Sequence, residues 1–354
     1  MPDRLPPPTS SANFGAAGIA LFLLRAAESR QDPDLLAAAQ LWADEAEAGL
    51  LAVDGLNTDV LGFHTNSLET ASVYHGAAGV HYVASLIALK AGRVDAARRY
   101  VDRFISCAGE EASDYDLVKG RPGTLLAIAS LLEAIPAEYE LETSQLVMFG
   151  TELAHSIERV LEVEDRGQGN YLGFAHGCAG QLYAVLRWLE ITHTSASPTV
   201  CRRLDALSDR RFVTPDGAAY WPLTDADQQP PWPGWCHGSA GYVHLWSQAA
   251  VVVTEEYMPL VDEAALGAWS HPQRAHGDLC CGLAGRAYAL LNAYQLTGDN
   301  RWIERARDQA YAAVSAIGRS SLVRPESLYR GRTGVALLIT ELANPASATM
   351  PLLR

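Results

Sequence analysis

Three segments of this 354-residue sequence set a thiol or an imidazole against a Gly-x-x-Gly. They read Gly173-Phe174-Ala175-His176-Gly177-Cys178-Ala179-Gly180, Trp235-Cys236-His237-Gly238-Ser239-Ala240-Gly241 and Asp278-Leu279-Cys280-Cys281-Gly282-Leu283-Ala284-Gly285. In each, Cys or His stands one or two residues before the first glycine. If these turns face one another, Cys236, Cys280 and Cys281 converge on one cation. Three soft thiolates favour zinc over hard cations, and three protein ligands leave the open fourth position typical of catalytic zinc. Helix N-termini close by help keep the thiols ionised. The plainer alternative is three cysteines buried as small apolar groups. Their matching places in consecutive segments favour ligation.

The remaining cysteines are Cys107, Cys178 and Cys201. An adjacent Cys-Cys pair and scattered partners suit metal-binding or catalytic thiols in a reducing cytoplasm better than disulfide staples. His176 and His237 hold the place just before the first glycine, as Cys281 does, and so does His75. One of them can act as a general acid or base beside the metal; for His75 a turn-capping role is favoured. Asp116, with Asp114, precedes Lys119-Gly120. It either orients a histidine or caps a helix. Trp221, Trp232 and Trp235 either floor a peptide groove or plug the interior.

The elements that must position these residues are repeated. Gly-x-x-Gly followed by an Ala-rich apolar stretch recurs with first glycines at Gly15, Gly76, Gly120, Gly177, Gly238, Gly282 and Gly331. The unit is about 51 residues long. Each predicts two helices. Those opened by the glycines, Val80–Lys90, Thr124–Ala134, Gln181–Leu189, Arg286–Leu296 and Val335–Leu342, are apolar all round. Those that follow, Val94–Ile105, Thr151–Val163 and Arg301–Ile317, are charged on one face; Trp302, Ala306, Ala310 and Ala313 line the apolar face of the last. The expectation is an all-α ring of two concentric layers with all seven turns at one end. Glycine is expected there for close backbone approach or positive φ. No strand pattern competes. The stretch from Thr194 to Trp235, with six prolines, reads as a long functional loop. The first nine residues and the segment from Asn344 read as frayed ends.

Composition narrows the partners. Forty-one acidic against 27 basic residues give a net charge of −14, which repels phosphate backbones and argues against nucleic acid. No run of about 18 apolar residues predicts a membrane span. Phe14 to Ala27 resembles a signal-peptide core, but it carries the repeat motif and belongs to the fold. No internal boundary is evident, so residues 1–354 are expected to form one domain.

Seven Gly-x-x-Gly helix hairpins with His-Gly-x-Ala-Gly, Trp-Cys-His-Gly and Cys-Cys-Gly units resemble the LanC-like family, the lanthionine synthetase cyclases, from Gly15 to Gly334. The resemblance implies an α/α toroid of seven inner and seven outer helices. It implies one Zn2+ on Cys236, Cys280 and Cys281, the less usual three-thiolate form. It also implies an acid/base role for His176, with Asp116 as the family's aspartate and His237 as the second histidine. Stand-alone members often carry an arginine four residues before the first zinc cysteine. Here that position is Trp232, so no arginine is carried over.

The implied activity is closure of thioether rings in a dehydrated ribosomal precursor peptide. A peptide cysteine adds to dehydroalanine or dehydrobutyrine, and the resulting enolate is protonated by His176 or His237. Three thiolates donate more charge to zinc than two thiolates and a histidine, so the substrate sulfur should be more nucleophilic. Cys281→His is therefore expected to slow closure of a multi-ring substrate, measured by the time course of thiol loss. The sequence holds no dehydratase or kinase-like segment, so a separate synthetase partner is expected, although a piece of a larger synthetase would read the same. Three other readings compete. One is a thiol-activating prenyltransferase-like toroid, whose mixed Asp, Cys and His ligands have no place for Cys-Cys-Gly. Another is a LanC-like enzyme adding glutathione to dehydrated proteins. The third is a non-catalytic peptide scaffold with structural zinc. Toroidal glycosidases need a carboxylate pair that these turns lack.

Overall fold

The computed structural model describes residues 9–52, 55–56, 70–109, 114–139, 141, 143–163, 171–227, 233–270, 276–320, 322 and 324–354. Seven helices begin at the repeated glycines: α1 (Ala16–Arg30), α3 (Ala77–Lys90), α5 (Arg121–Ala134), α7 (Cys178–Thr192), α9 (Ser239–Val252), α11 (Leu283–Thr297) and α13 (Arg332–Glu341). Between them run α2 (Pro33–Gly49), α4 (Val94–Ala108), α6 (Ser144–Val163), α8 (Pro198–Asp209), α10 (Met258–Trp269) and α12 (Asn300–Gly318). The first set forms a ring, each member packed on the next, and α13 closes it against α1. Burial separates the layers. In α9 every residue from Ser239 to Ala250 is buried, whereas α12 buries one face, on Trp302, Ile303, Ala306, Gln309, Ala310, Ala313 and Ile317. The architecture is thus an all-α toroid of seven inner and six outer helices among the described residues.

The seven turns are stitched to one another around the ring. Asn13 N donates to Tyr74 O, Ser72 Oγ to Val118 O, Leu117 N to Ala175 O, Ala175 N to Cys236 O, Cys236 N to Cys280 O, Cys280 N to Tyr329 O, and Leu328 N back to Asn13 O, all at 2.8–3.2 Å. This circle gives the turn backbones partners away from helix and sheet. It also gathers the residues before each first glycine at one end of the ring. The inner helices have no side-chain N-cap. Their first N–H groups turn back instead, as Leu283 N does to His276 O at 2.8 Å. The first glycines are extended, with Gly282 at φ −106°, so positive φ is not their reason. Close approach is: a Cβ at Gly282 would collide with the His276 carbonyl, and one at the second glycine, Gly285, with the Leu279 carbonyl.

Two sequence expectations are corrected. The stretch from Thr194 contains outer helix α8, then the antiparallel hairpin β1 (Phe212–Val213) and β2 (Ala219–Tyr220). Pro198 does not interrupt a helix but begins one, where the missing N–H costs nothing, and Ser197 caps it by accepting from Val200 N. The segment from Asn344 is not frayed. Ala348, Met350, Leu352 and Leu353 are buried. Gln295 Nε2 donates to Pro345 O and Ala348 O, each at 2.7 Å, and Arg25 donates to Thr349 O at 2.9 Å. Thr9 is also buried, while residues 1–8 lie outside the described residues.

Two histidines are held in the interior. His244 is 4% exposed against Phe174, and His75 stacks on Phe14 with ring centroids 5.3 Å apart. Burial pulls the His244 imidazole down to about 3 and that of His75 to about 4. A histidine depressed in the fold is neutral in both states above its unfolded value near 6.5, and below that the unfolded chain takes up protons first. These two groups are therefore expected to cost a few kcal/mol of stability as pH falls from about 6.5 to about 3. Melting temperatures across that range check it; His244→Phe should flatten the slope.

Candidate metal and acid-base centre

Cys236 precedes α9, and Cys280 and Cys281 precede α11. Turn-to-turn bonding brings the two segments together, with Cys236 N donating to Cys280 O at 3.2 Å. Gly234 permits this: a Cβ there would meet the Cys281 Cα at 2.8 Å. The Cys281–Cys236 and Cys281–Cys280 sulfurs lie 3.4 and 3.5 Å apart, and all three fall within 4.8 Å of one another. None is in a disulfide. Metal–sulfur bonds of about 2.3 Å in a tetrahedron put sulfurs about 3.8 Å apart. A small opening of the triangle thus admits a thiophilic metal ion, and the donor set fits one.

The electrostatics favour a thiolate here. Hydrogen bonds from Cys236 and Cys280 hold the Cys281 thiol well below its ordinary range, and Arg330 and His237 add to this. Sharing one thiolate pushes the Cys280 thiol up. The Cys281 N–H donates to Asp278 Oδ1 at 2.9 Å. Arg330, whose charge helps hold the Cys281 thiol down, was missed by the sequence reading. Its signal was present: it precedes Gly331, the same repeat position that holds His176, His237 and Cys281.

Beside the cysteines stands a second group. His176 Nδ1 lies 2.6 Å from Asp116 Oδ2. A carboxylate accepts, so Nδ1 carries the proton and Nε2 is left as the free nitrogen of the ring. Of the two roles considered for it, Asp116 holds the histidine and does not cap α5, whose N-cap Gly120 has no side-chain bond; it braces the turn ahead of that helix instead. Its Oδ1 accepts from Val118 N at 2.8 Å and Lys119 N at 3.0 Å. The rings of His176 and His237 are 5.1 Å apart. Burial, aided by His176, pulls the His237 imidazole down to about 4, so it is neutral at pH 7. His75 is buried in the second turn, its N–H donating to Ser72 Oγ at 3.0 Å.

The tryptophans divide differently. Trp235 is 1% exposed in a cluster with Tyr74, Phe174 and Tyr329. Trp221 is fully buried, stacked on Tyr242 at 4.1 Å, with Nε1 donating to Leu207 O. Both are interior packing rather than a groove floor. Trp232 lies outside the described residues.

A closed ring of helix pairs, with thiols and imidazoles gathered on the turns at one end, defines a helical toroid with a thiol-rich centre. The chain belongs to the lanthionine synthetase C-like family, whose model matches residues 8–353. Among solved structures it is similar to nisin cyclase, with a TM-score of 0.68 at 16% identity, over 94% of this chain and 88% of that one. Curated relatives include LanC-like protein GCL1 of Arabidopsis thaliana, 27% identical over 67% of this chain, and Glutathione S-transferase LANCL1 of Danio rerio, 26% identical over 67%. The matches cover 57% and 61% of those relatives' lengths.

Proposed function

We propose that the protein is a zinc-dependent cyclase that closes lanthionine or methyllanthionine rings in a dehydrated ribosomal precursor peptide, acting as a single domain over residues 1–354. The observation that carries this reading is the juxtaposition of three cysteine sulfurs within 4.8 Å with a carboxylate-held histidine among the same set of turns. Zinc on Cys236, Cys280 and Cys281 would lower the pKa of a substrate thiol and present it as a nucleophile.

The rest is the work of side chains. The sulfur attacks the β-carbon of the dehydro residue. A C–S bond forms, the C=C π bond breaks, and its electron pair moves onto the α-carbon as an enolate. The proton lost by the thiol is balanced by one delivered to that carbon. His176 is assigned to take the thiol proton onto Nε2 and deliver it from there to the α-carbon, with Asp116 fixing the ring and stabilising its charged form. Neutral His237 is the second candidate, positioned against His176. The dehydro residues would be supplied by a separate dehydratase or synthetase, and the setting would be the reducing cytoplasm, where free cysteines persist.

A second reading is addition of glutathione to dehydrated proteins. The printed activity of the Danio rerio relative favours it, and the chemistry at the centre would be the same. The zinc-loaded protein should be incubated with a peptide holding one cysteine and one dehydroalanine, with and without glutathione. Ring closure removes the alkylatable thiol without changing the mass. The glutathione reading gives a mass gain of one glutathione. If neither occurs and the peptide still binds, the scaffold reading replaces both.

A further inference from the structure

Residues 344–354 lie across the end of the ring opposite the turns. Three inner helices hold them from positions toward their C-terminal ends. Arg25 of α1 donates to Thr349 O at 2.9 Å and to Thr349 Oγ1 at 2.7 Å. Gln295 of α11 donates to Pro345 O and Ala348 O, each at 2.7 Å, and Glu190 of α7 lies 3.9 Å from Arg354. From there the segment dips inward. Met350, Leu352 and Leu353 are buried, and Leu353 N donates to Met350 O at 3.3 Å to close a turn. Leu352 takes φ 65° in that turn, a left-handed conformation that a bulky residue keeps only where its surroundings hold it. Within the turn, the Pro351 carbonyl accepts from the Tyr329 hydroxyl.

Tyr329 is where this segment meets the cysteine cluster. It stands two residues before Gly331, the place that Cys236 and Cys280 hold before Gly238 and Gly282. Its carbonyl accepts from Leu279 N at 3.1 Å and from Cys280 N at 3.0 Å. Its ring lies 4.9 Å from that of Trp235, the residue before Cys236. One buried tyrosine thus touches both cysteine-bearing segments, through its backbone on one side and its ring on the other. A buried hydroxyl without a partner is costly, so the Pro351 carbonyl fixes where the phenol sits.

Three sulfurs bind one ion tightly when their backbones are already in place, and groups that support the ligands from behind tune that affinity. Cys236 and Cys280 belong to different repeats, so a brace common to both keeps their spacing. We propose that Tyr329 is a positioning residue for the three-cysteine centre and that residues 344–354 anchor it, so that packing at the far end of the ring sets metal affinity at the turn end. This rests on the metal-site reading above. It gives neither Tyr329 nor the segment a contact with the reacting atoms. The coupling is reciprocal: metal on the cysteines makes the segment harder to release by the same factor.

The test uses the full-length chain with zinc alone as probe, well below the melting temperature. There a modest loss of fold stability leaves the folded population, and so the metal affinity, unchanged. Zinc affinity is measured by competition with a chromogenic chelator. Tyr329→Phe keeps the ring on Trp235 and removes only the hydroxyl. It should bind zinc about 3–10-fold more weakly, less than the roughly 10–100-fold of a group bonded to the ligand itself. Gln295→Met removes two bonds to the segment from a position about 20 Å along α11 from Cys281. It should weaken zinc binding to a similar degree, and the double variant should be no worse than the weaker single one. By hydrogen exchange, the amides of Met350, Leu352 and Leu353 should be slower in zinc-loaded than in metal-free parent, and zinc should make no such difference in Tyr329→Phe. Parental zinc affinity in either single variant would overturn the proposal, even with lowered melting, since that is what packing alone predicts. So would exchange in the parent that ignores zinc, or fully additive losses in the double variant. A parent that binds no metal would instead refute the metal-site reading and take this inference with it.

Discussion

Cys280→Ala is expected to abolish stoichiometric metal binding. Freshly purified, reduced parent should carry about one zinc per chain. The variant should retain almost none, its affinity falling by more than the roughly 100-fold that outer-sphere changes reach. The reason is geometric. Cys281 sits 3.4 Å from Cys236 and 3.5 Å from Cys280. Removing Cys280 leaves two sulfurs and opens one corner of the donor set. Activity on a peptide with one cysteine and one dehydroalanine should fall to the uncatalysed level, since the solution thiol is then mostly protonated. The fold should survive, because the turn is held through the Cys280 backbone, with N donating to Tyr329 O and O accepting from Cys236 N. Metal analysis beside circular dichroism checks both halves. Zinc in parent and variant alike would put the metal elsewhere. No zinc in reduced parent would make the cysteines packing residues, and the chain a cyclase relative that holds peptides without closing rings.

His176→Asn should keep the zinc and lose the chemistry. Positioned acid-base groups contribute about 10²–10⁴-fold, and that is the expected loss in the rate of ring closure. Asp116→Asn is expected to lose less in rate but more in order. The amide can no longer serve as a charged acceptor for Nδ1–H, although its oxygen can still brace the turn through Val118 N and Lys119 N. The same thiol-loss assay measures both, with metal content as the control. His176→Asn at parental rate would move the proton donor to His237. Loss of zinc in His176→Asn would show that this ring supports the metal and leave its acid role without support.

Much of this was legible in the chain. Each repeat's Gly-x-x-Gly, followed by a stretch without a polar face, fixed where the inner helices begin and that they would be buried all round. That rests on local period and on steric demand, which are properties of sequence. Starts were legible to within a few residues because the turn residues are the motif itself. The outer helix α8 was not, because the proline-rich stretch from Thr194 reads as a loop, whereas Pro198 occupies the first helical position behind Ser197. The segment from Asn344 was missed for a different reason. Its apolar residues have no period of their own and are ordered only by distant partners such as Gln295 and Arg25.

The site divides along the same line. Sequence alone determined which residues carry reactive groups and that Cys236, Cys280, Cys281, His176 and His237 occupy equivalent places in successive repeats. Repetition made that readable, since equivalent places in a closed ring face a common axis. Tertiary structure alone decided that the sulfurs fall within 4.8 Å of one another and that Asp116, 60 residues before His176, is the one that holds it. It also set the turn that carries Arg330 against Cys280, whose N donates to Tyr329 O, and turned Trp221 and Trp235 inward. These depend on side-chain direction and on contacts between repeats. Nothing in a one-dimensional spacing encodes the angle at which one turn meets the next.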